Sequence, residues 1–134
     1  MSTPLKKICY IDDADELRLM VTTVLEKIYH YQIKTCACAE EAIENTKEFN
    51  PDLILLDMWM SPNMNGIDAF QAFQQQPHLK DIPVIFLTGQ AEHEEVEKYV
   101  SLGAIGVIAK PFNPMQLGNE INQIWQQFHA KEHH

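Results

Sequence analysis

The sequence predicts an α/β fold, a doubly wound five-stranded parallel sheet with helices on both faces. Short apolar runs of strand length alternate with segments of helical periodicity five times over, which is the pattern that βαβ units require. The strand candidates, residues 7–11, 32–37, 53–56, 84–87 and 106–109, are mostly apolar rather than alternating, as strands covered on both faces should be. Between the first two, Leu17, Val21, Val24, Leu25 and Ile28 recur at steps of three and four, predicting the buried face of a helix with Asp13 or Asp15 as its N-cap. Further helices are predicted over 40–47, 67–75, 92–102 and 114–128, the last with Leu117, Ile121, Ile124 and Phe128 on one side. The connections are short, with no repeat, low-complexity tract or long linker. One domain over 1–130 accounts for the pattern, and 131–134 form a tail, native or left from a purification tag.

A chain of 134 residues, 46% hydrophobic and 22% charged, suits one globular domain with a core of its own. It has no run of about 18 uncharged apolar residues, and residues 1–7 are too polar to lead a secretory signal, so the expectation is a cytoplasmic protein that does not engage a membrane. A net charge of -9 opposes binding to nucleic-acid phosphates. Cys9, Cys36 and Cys38 lie in apolar stretches and read as core thiols, with Cys36 and Cys38 on one face of a strand. Met58, Met60 and Met64 read as packing residues rather than thioether ligands. The histidines show no ligand spacing.

In an open parallel sheet, ligands bind beyond the carboxyl ends of the strands, near the point where strand order reverses. The first predicted strand ends in Asp12 and Asp13, the third in Asp57, the fourth in Thr88 and the fifth in Lys110. Three carboxylates gathered on one rim repel one another unless a cation is present. An all-oxygen donor set suits a hard ion, and Mg²⁺ fits best because it takes one or two carboxylates and completes its shell with water and phosphate oxygens. A strand-end carboxylate beside such an ion is a competent nucleophile toward phosphorus. Asp57 is the candidate nucleophile, Asp13 a direct metal ligand, and Asp12 a ligand directly or through water. Lys110 would pair with a phosphate oxygen and Thr88 would hydrogen-bond another.

Asp12-Asp13, Leu55-Leu56-Asp57-Met58, Leu87-Thr88-Gly89 and Ala109-Lys110-Pro111-Phe112 together resemble the markers of the receiver domains of two-component response regulators. The likeness runs from about Lys7 to about Phe128. It implies the flavodoxin-like strand order 2-1-3-4-5, Mg²⁺ dependence, and phosphoryl transfer onto Asp57 from a sensor histidine kinase or phosphotransfer protein. It further implies a metal ligand from the backbone carbonyl of Trp59, provided the extra loop residue lies beyond it, and a cis bond before Pro111. An unidentified downstream protein would meet the surface of the fourth helix, fifth strand and fifth helix, where a homodimer could also form. No independent substrate turnover is expected, and with no output segment after the last helix the chain is expected either to act by binding a partner or to be a piece of a larger regulator.

The sequence departs from the family in two places. The run Met60-Ser61-Pro62-Asn63-Met64-Asn65-Gly66 is one residue longer than usual, and Val107 stands where many receivers carry an aromatic side chain that swings inward. The Trp59 side chain either shields the phosphoryl group from hydrolysis, giving it a long life, or covers apolar surface. Coupling would then run from Thr88 through the loop 89–91 into the helix holding Val96, Tyr99 and Val100. Tyr99 and Trp125 read either as an exposed partner surface or as packing. Two other functions compete. A phosphatase of the haloacid-dehalogenase type shares the Asp, Thr and Lys but needs a second Asp where Trp59 stands, and a pseudo-receiver would keep the fold without taking phosphate. Taken singly, an Asp as helix cap, a Thr in a strand or a Lys at the surface needs no function at all.

Overall fold

A computed structural model describes residues 4–61, 64–89, 93–110 and 112–132. In chain order its elements are β1 (Lys7–Ile11), α1 (Asp15–Lys27), β2 (Gln32–Cys36), α2 (Ala39–Phe49), β3 (Leu53–Asp57), β4 (Trp59–Ser61), β5 (Met64–Asn65), α3 (Gly66–Gln74), β6 (Val84–Thr88), α4 (His93–Leu102), β7 (Gly106–Ala109) and α5 (Pro114–Glu132). Five strands form one sheet in the order β2-β1-β3-β6-β7, every pairing parallel. Counting only these strands, the order is the expected 2-1-3-4-5.

Strand periodicity divides the apolar residues between two faces. Ile8, Tyr10, Leu53, Leu55, Ile85 and Leu87 point to one side, where Val21 and Leu25 of α1 and Leu117, Ile121 and Trp125 of α5 cover them. Their neighbours Cys9, Ile11, Ile54, Leu56, Val84 and Phe86 point to the other, beneath Ala39 and Ala42 of α2, Phe70 and Phe73 of α3 and Tyr99 of α4. Both faces of β1, β3 and β6 are thus buried, which is why these strands read as apolar runs.

Several expectations are corrected. Neither Asp13 nor Asp15 caps α1: Ala14 occupies the N-cap position without a side-chain bond, and Asp15 is the first helical residue. The Asp12 carboxylate takes the Ala14 N–H at 2.9 Å, so the chain turns one residue away from either candidate. Ile28, at the C-cap of α1, is 46% exposed rather than on the buried face. Cys38 is no core thiol, because β2 ends at Cys36 and Cys38 stands at the N-cap position of α2 without a side-chain cap bond, its thiol donating to Glu41 Oε2 at 3.9 Å. Cys36 is buried with Cys9 instead. Of the two readings of Tyr99 and Trp125, the structure bears out packing, since each is 3% exposed. The short antiparallel pair β4–β5 was not foreseen. Met58 is buried in the core as expected, whereas the side chains of Met60 and Met64 and the bond before Pro111 lie outside the described residues. Among the described residues, no helix is long and apolar enough to cross a membrane.

Candidate functional site

From β1 the sheet grows in both directions, to β2 on one side and β3 on the other, so its topological switch lies between β1 and β3. Asp12 and Asp13 leave the sheet there beside Asp57. Backbone hydrogen bonds continue past the strand ends and fix these residues on the rim. The Asp12 N–H donates to the Cys36 carbonyl at 3.1 Å, that of Met58 to Leu87 at 2.9 Å, and that of Lys110 to Thr88 at 2.8 Å. Asp57 pairs with Leu87 in the parallel ladder, which puts Thr88 one residue further out.

One carboxylate oxygen each from Asp12, Asp13 and Asp57 lies within 4.8 Å of the others. Asp12 and Asp57 are buried at 0% and 3% exposure, whereas Asp13 is exposed. The Lys110 ammonium donates to Asp57 Oδ1 at 2.7 Å, and this ion pair joins β7 to β3 across the intervening β6. Within this group one lysine faces three carboxylates, so the cluster carries a charge excess that an oxygen-seeking cation would offset. The donor set fits Mg²⁺ on its chemistry: hard oxygens, open to solvent through Asp13. Thr88, at 0% exposure, is the last residue of β6.

The structure therefore gathers Asp12, Asp13, Asp57, Thr88 and Lys110 at one rim, as their positions at strand ends foretold. For Trp59 the backbone lies in β4, and the irregularity of the β4–β5 hairpin falls between Trp59 and Ser61, beyond the Trp59 carbonyl. Its side chain lies outside the described residues.

Two contributors escaped sequence reasoning. The buried Tyr10 hydroxyl donates to Asp12 Oδ2 at 2.8 Å, and Arg18 reaches back from α1 to the Asp12 carbonyl at 2.6 Å while pairing with Asp15. A signal for the first was available. Residues 10 and 12 share a face of the strand, and a tyrosine inside a buried strand requires a polar partner for its hydroxyl. Burial, followed by the negative charge of Asp12, pushes the Tyr10 pKa well above its ordinary value.

Gly66 is needed where it stands. Its N–H donates to the Met58 carbonyl at 2.6 Å, and a Cβ there would sit 2.9 Å from Met58 Cα and 3.1 Å from the Asp57 carbonyl oxygen. Gly66→Ala should therefore displace the Asp57–Met58 backbone and cost about 1–3 kcal/mol, read as a lower urea midpoint.

Tyr99 of α4 packs its ring on Phe86 at 5.4 Å. Burial, then the charge of Glu95, raises its pKa. The unfolded chain's tyrosines lose their protons from about pH 10. Above that pH the folded state holds the extra proton, so the stability present below it falls as pH rises toward the folded pKa, by about 1.4 kcal/mol per unit for each tyrosine kept neutral. Tyr99→Phe should make the alkaline fall in urea stability shallower than in the wild type.

Acidic rim, paired lysine and strand order together define a class of module that takes its ligand chemistry at the switch point of a doubly wound sheet. Comparison with known proteins gives the family. The model of the response regulator receiver domain matches residues 8–122, and the chain belongs to that family. It is 34% identical over 119 residues to the phosphate regulon transcriptional regulatory protein PhoB of Escherichia coli, covering 89% of this chain and 51% of PhoB. It is 29% identical over 120 residues to the chemotaxis protein CheY of Thermotoga maritima, covering 89% of this chain and 97% of CheY. The solved structure of the chemotaxis response regulator CheY4 of Vibrio cholerae superposes with a TM-score of 0.79 at 29% identity, covering 90% of this chain and 99% of that one. The chain spans about half the length of the PhoB relatives it matches, 51%.

Proposed function

We propose that this chain is a phosphoacceptor receiver: an Asp57 oxygen attacks the phosphorus of a phosphohistidine on a sensor histidine kinase or phosphotransfer protein. The O–P bond forms as the P–N bond breaks, and the imidazole leaves with the bonding pair and takes up a proton. The observation that carries this reading is the Lys110–Asp57 contact of 2.7 Å inside a three-carboxylate rim. It orients the acceptor and sets a cation where charge arrives with the phosphoryl oxygens. Asp13, Asp57 and the Trp59 carbonyl would hold Mg²⁺, with Asp12 as a further ligand directly or through water. The ion supplies charge compensation for the transferred group.

Thr88 would turn its hydroxyl to the new phosphoryl group. A path into α4 then runs through β6, where Tyr99 packs on Phe86, and does not need an aromatic residue at position 107, where half-buried Val107 stands. The signal would then emerge on the α4–β7–α5 surface and reach a downstream protein or a second copy of the chain.

The test is incubation with acetyl phosphate and Mg²⁺, followed by intact mass. One phosphoryl group should appear on the wild type and be absent from Asp57→Asn and from chelator-treated protein. Wild type that stays unmodified under these conditions, and does not bind beryllofluoride, contradicts the proposal and leaves a constitutive binding module.

A further inference from the structure

We infer that Tyr10 is a positioning residue for the cation site, acting through Asp12, and this rests on the phosphoacceptor reading above. The Asp12 carboxylate is gripped at both oxygens by donors from two elements: Oδ2 takes the Tyr10 hydroxyl of β1 at 2.8 Å, and Oδ1 takes the Ala14 N–H that opens α1 at 2.9 Å. Its own carbonyl is tied by Arg18 at 2.6 Å, so neither the backbone nor the side chain of Asp12 turns freely. A carboxylate has about four acceptor sites on its two oxygens, so the two donors leave others for a cation or its water, and one Asp12 oxygen lies within 4.8 Å of oxygens of Asp13 and Asp57.

Tyr10 itself has no freedom to follow a ligand. It is 0% exposed among Ile8, Leu55 and Leu87, beneath α1 and α5. The hydroxyl therefore transmits the rigidity of the core to the one buried carboxylate of the Asp12-Asp13 pair. Mg²⁺ demands near-ideal octahedral geometry, whereas Ca²⁺ accepts a looser shell. A fixed Asp12 thus contributes to choosing the smaller ion as well as to holding it, as hydrogen-bonding partners behind metal ligands generally do.

Tyr10→Phe keeps the ring and the core volume and removes only the hydroxyl. Calorimetric titration of wild type and variant with Mg²⁺ and with Ca²⁺, alongside metal-free melting curves, gives the test. The Mg²⁺ Kd should rise about tenfold while the Ca²⁺ Kd rises clearly less. In an Asp12→Ala background, adding Tyr10→Phe should change the Mg²⁺ Kd by less than about twofold, since residues acting through one group are not additive. An unchanged Mg²⁺ Kd in Tyr10→Phe overturns the inference. So does an equal loss for both ions with a lowered melting temperature, or a full second loss in the Asp12→Ala background. Wild-type protein that binds no Mg²⁺ sinks the phosphoacceptor reading and this inference with it, which separates that failure from a failure of Tyr10 alone.

Discussion

Lys110→Met should slow phosphorylation of the protein by acetyl phosphate about a hundredfold while leaving the fold intact. The ammonium lies 2.7 Å from Asp57 Oδ1, and methionine preserves most of the stem that crosses the strand ends. Removing one preorganised charged donor from the place where phosphoryl charge develops costs catalysis about 10²–10³. Stability should fall as well, because Asp57 is buried and would lose its charged partner. Lys110 is partly exposed, so the loss belongs at the lower end for broken buried pairs, about 1–3 kcal/mol. Single-turnover mass measurements give the rate and urea unfolding the stability. A variant phosphorylated at the wild-type rate would reduce Lys110 to a structural ion pair.

Asp13→Asn should reverse the order of stability of variant and wild type according to whether Mg²⁺ is present. In metal-free buffer the variant loses one of three carboxylates that share a 4.8 Å cluster, and relief of that repulsion should stabilise it. The exposure of Asp13 limits the gain to about 0.5–1 kcal/mol, a rise of a few degrees in melting temperature. With Mg²⁺ at about a hundred times its Kd, the wild type gains about 2.7 kcal/mol from binding. The variant, with its direct ligand neutralised, should gain little. Melting curves with and without Mg²⁺ read both halves of the prediction. Wild type and variant stabilised equally by Mg²⁺ would remove Asp13 from the metal site.

The sheet was legible because both faces of β1, β3 and β6 are covered, which makes an apolar run such as Leu53 to Leu56 unambiguous once helices flank it. The rim was legible for a related reason: polar residues at the ends of such runs, Asp12, Asp57, Thr88 and Lys110, have no reason within the core to be there, and strand order carries them to one edge. What escaped depends on contacts that periodicity does not encode. The α1 cap moved to Ala14 because Asp12 spends a carboxylate oxygen on the backbone, a bond that follows from the tertiary position of Asp12 rather than from local sequence. The β4–β5 pair is short, and its register shift erases the alternation by which strands are recognised. Cys38 lies two residues from Cys36 but beyond the strand, so the shared-face argument ceased to apply at the β2 boundary. Arg18 and Tyr10 act on Asp12 through side chains that read as ordinary helix and core residues.

Asp57, and no other carboxylate of the rim, is expected to take the phosphoryl group. The most direct measurement is borohydride reduction of the phosphorylated protein followed by peptide mass mapping, since reduction of an aspartyl phosphate leaves homoserine at the modified position. Homoserine is expected at position 57 alone, with Asp12 and Asp13 unchanged. Homoserine at 12 or 13, or a phosphoryl group found on a histidine, would contradict it.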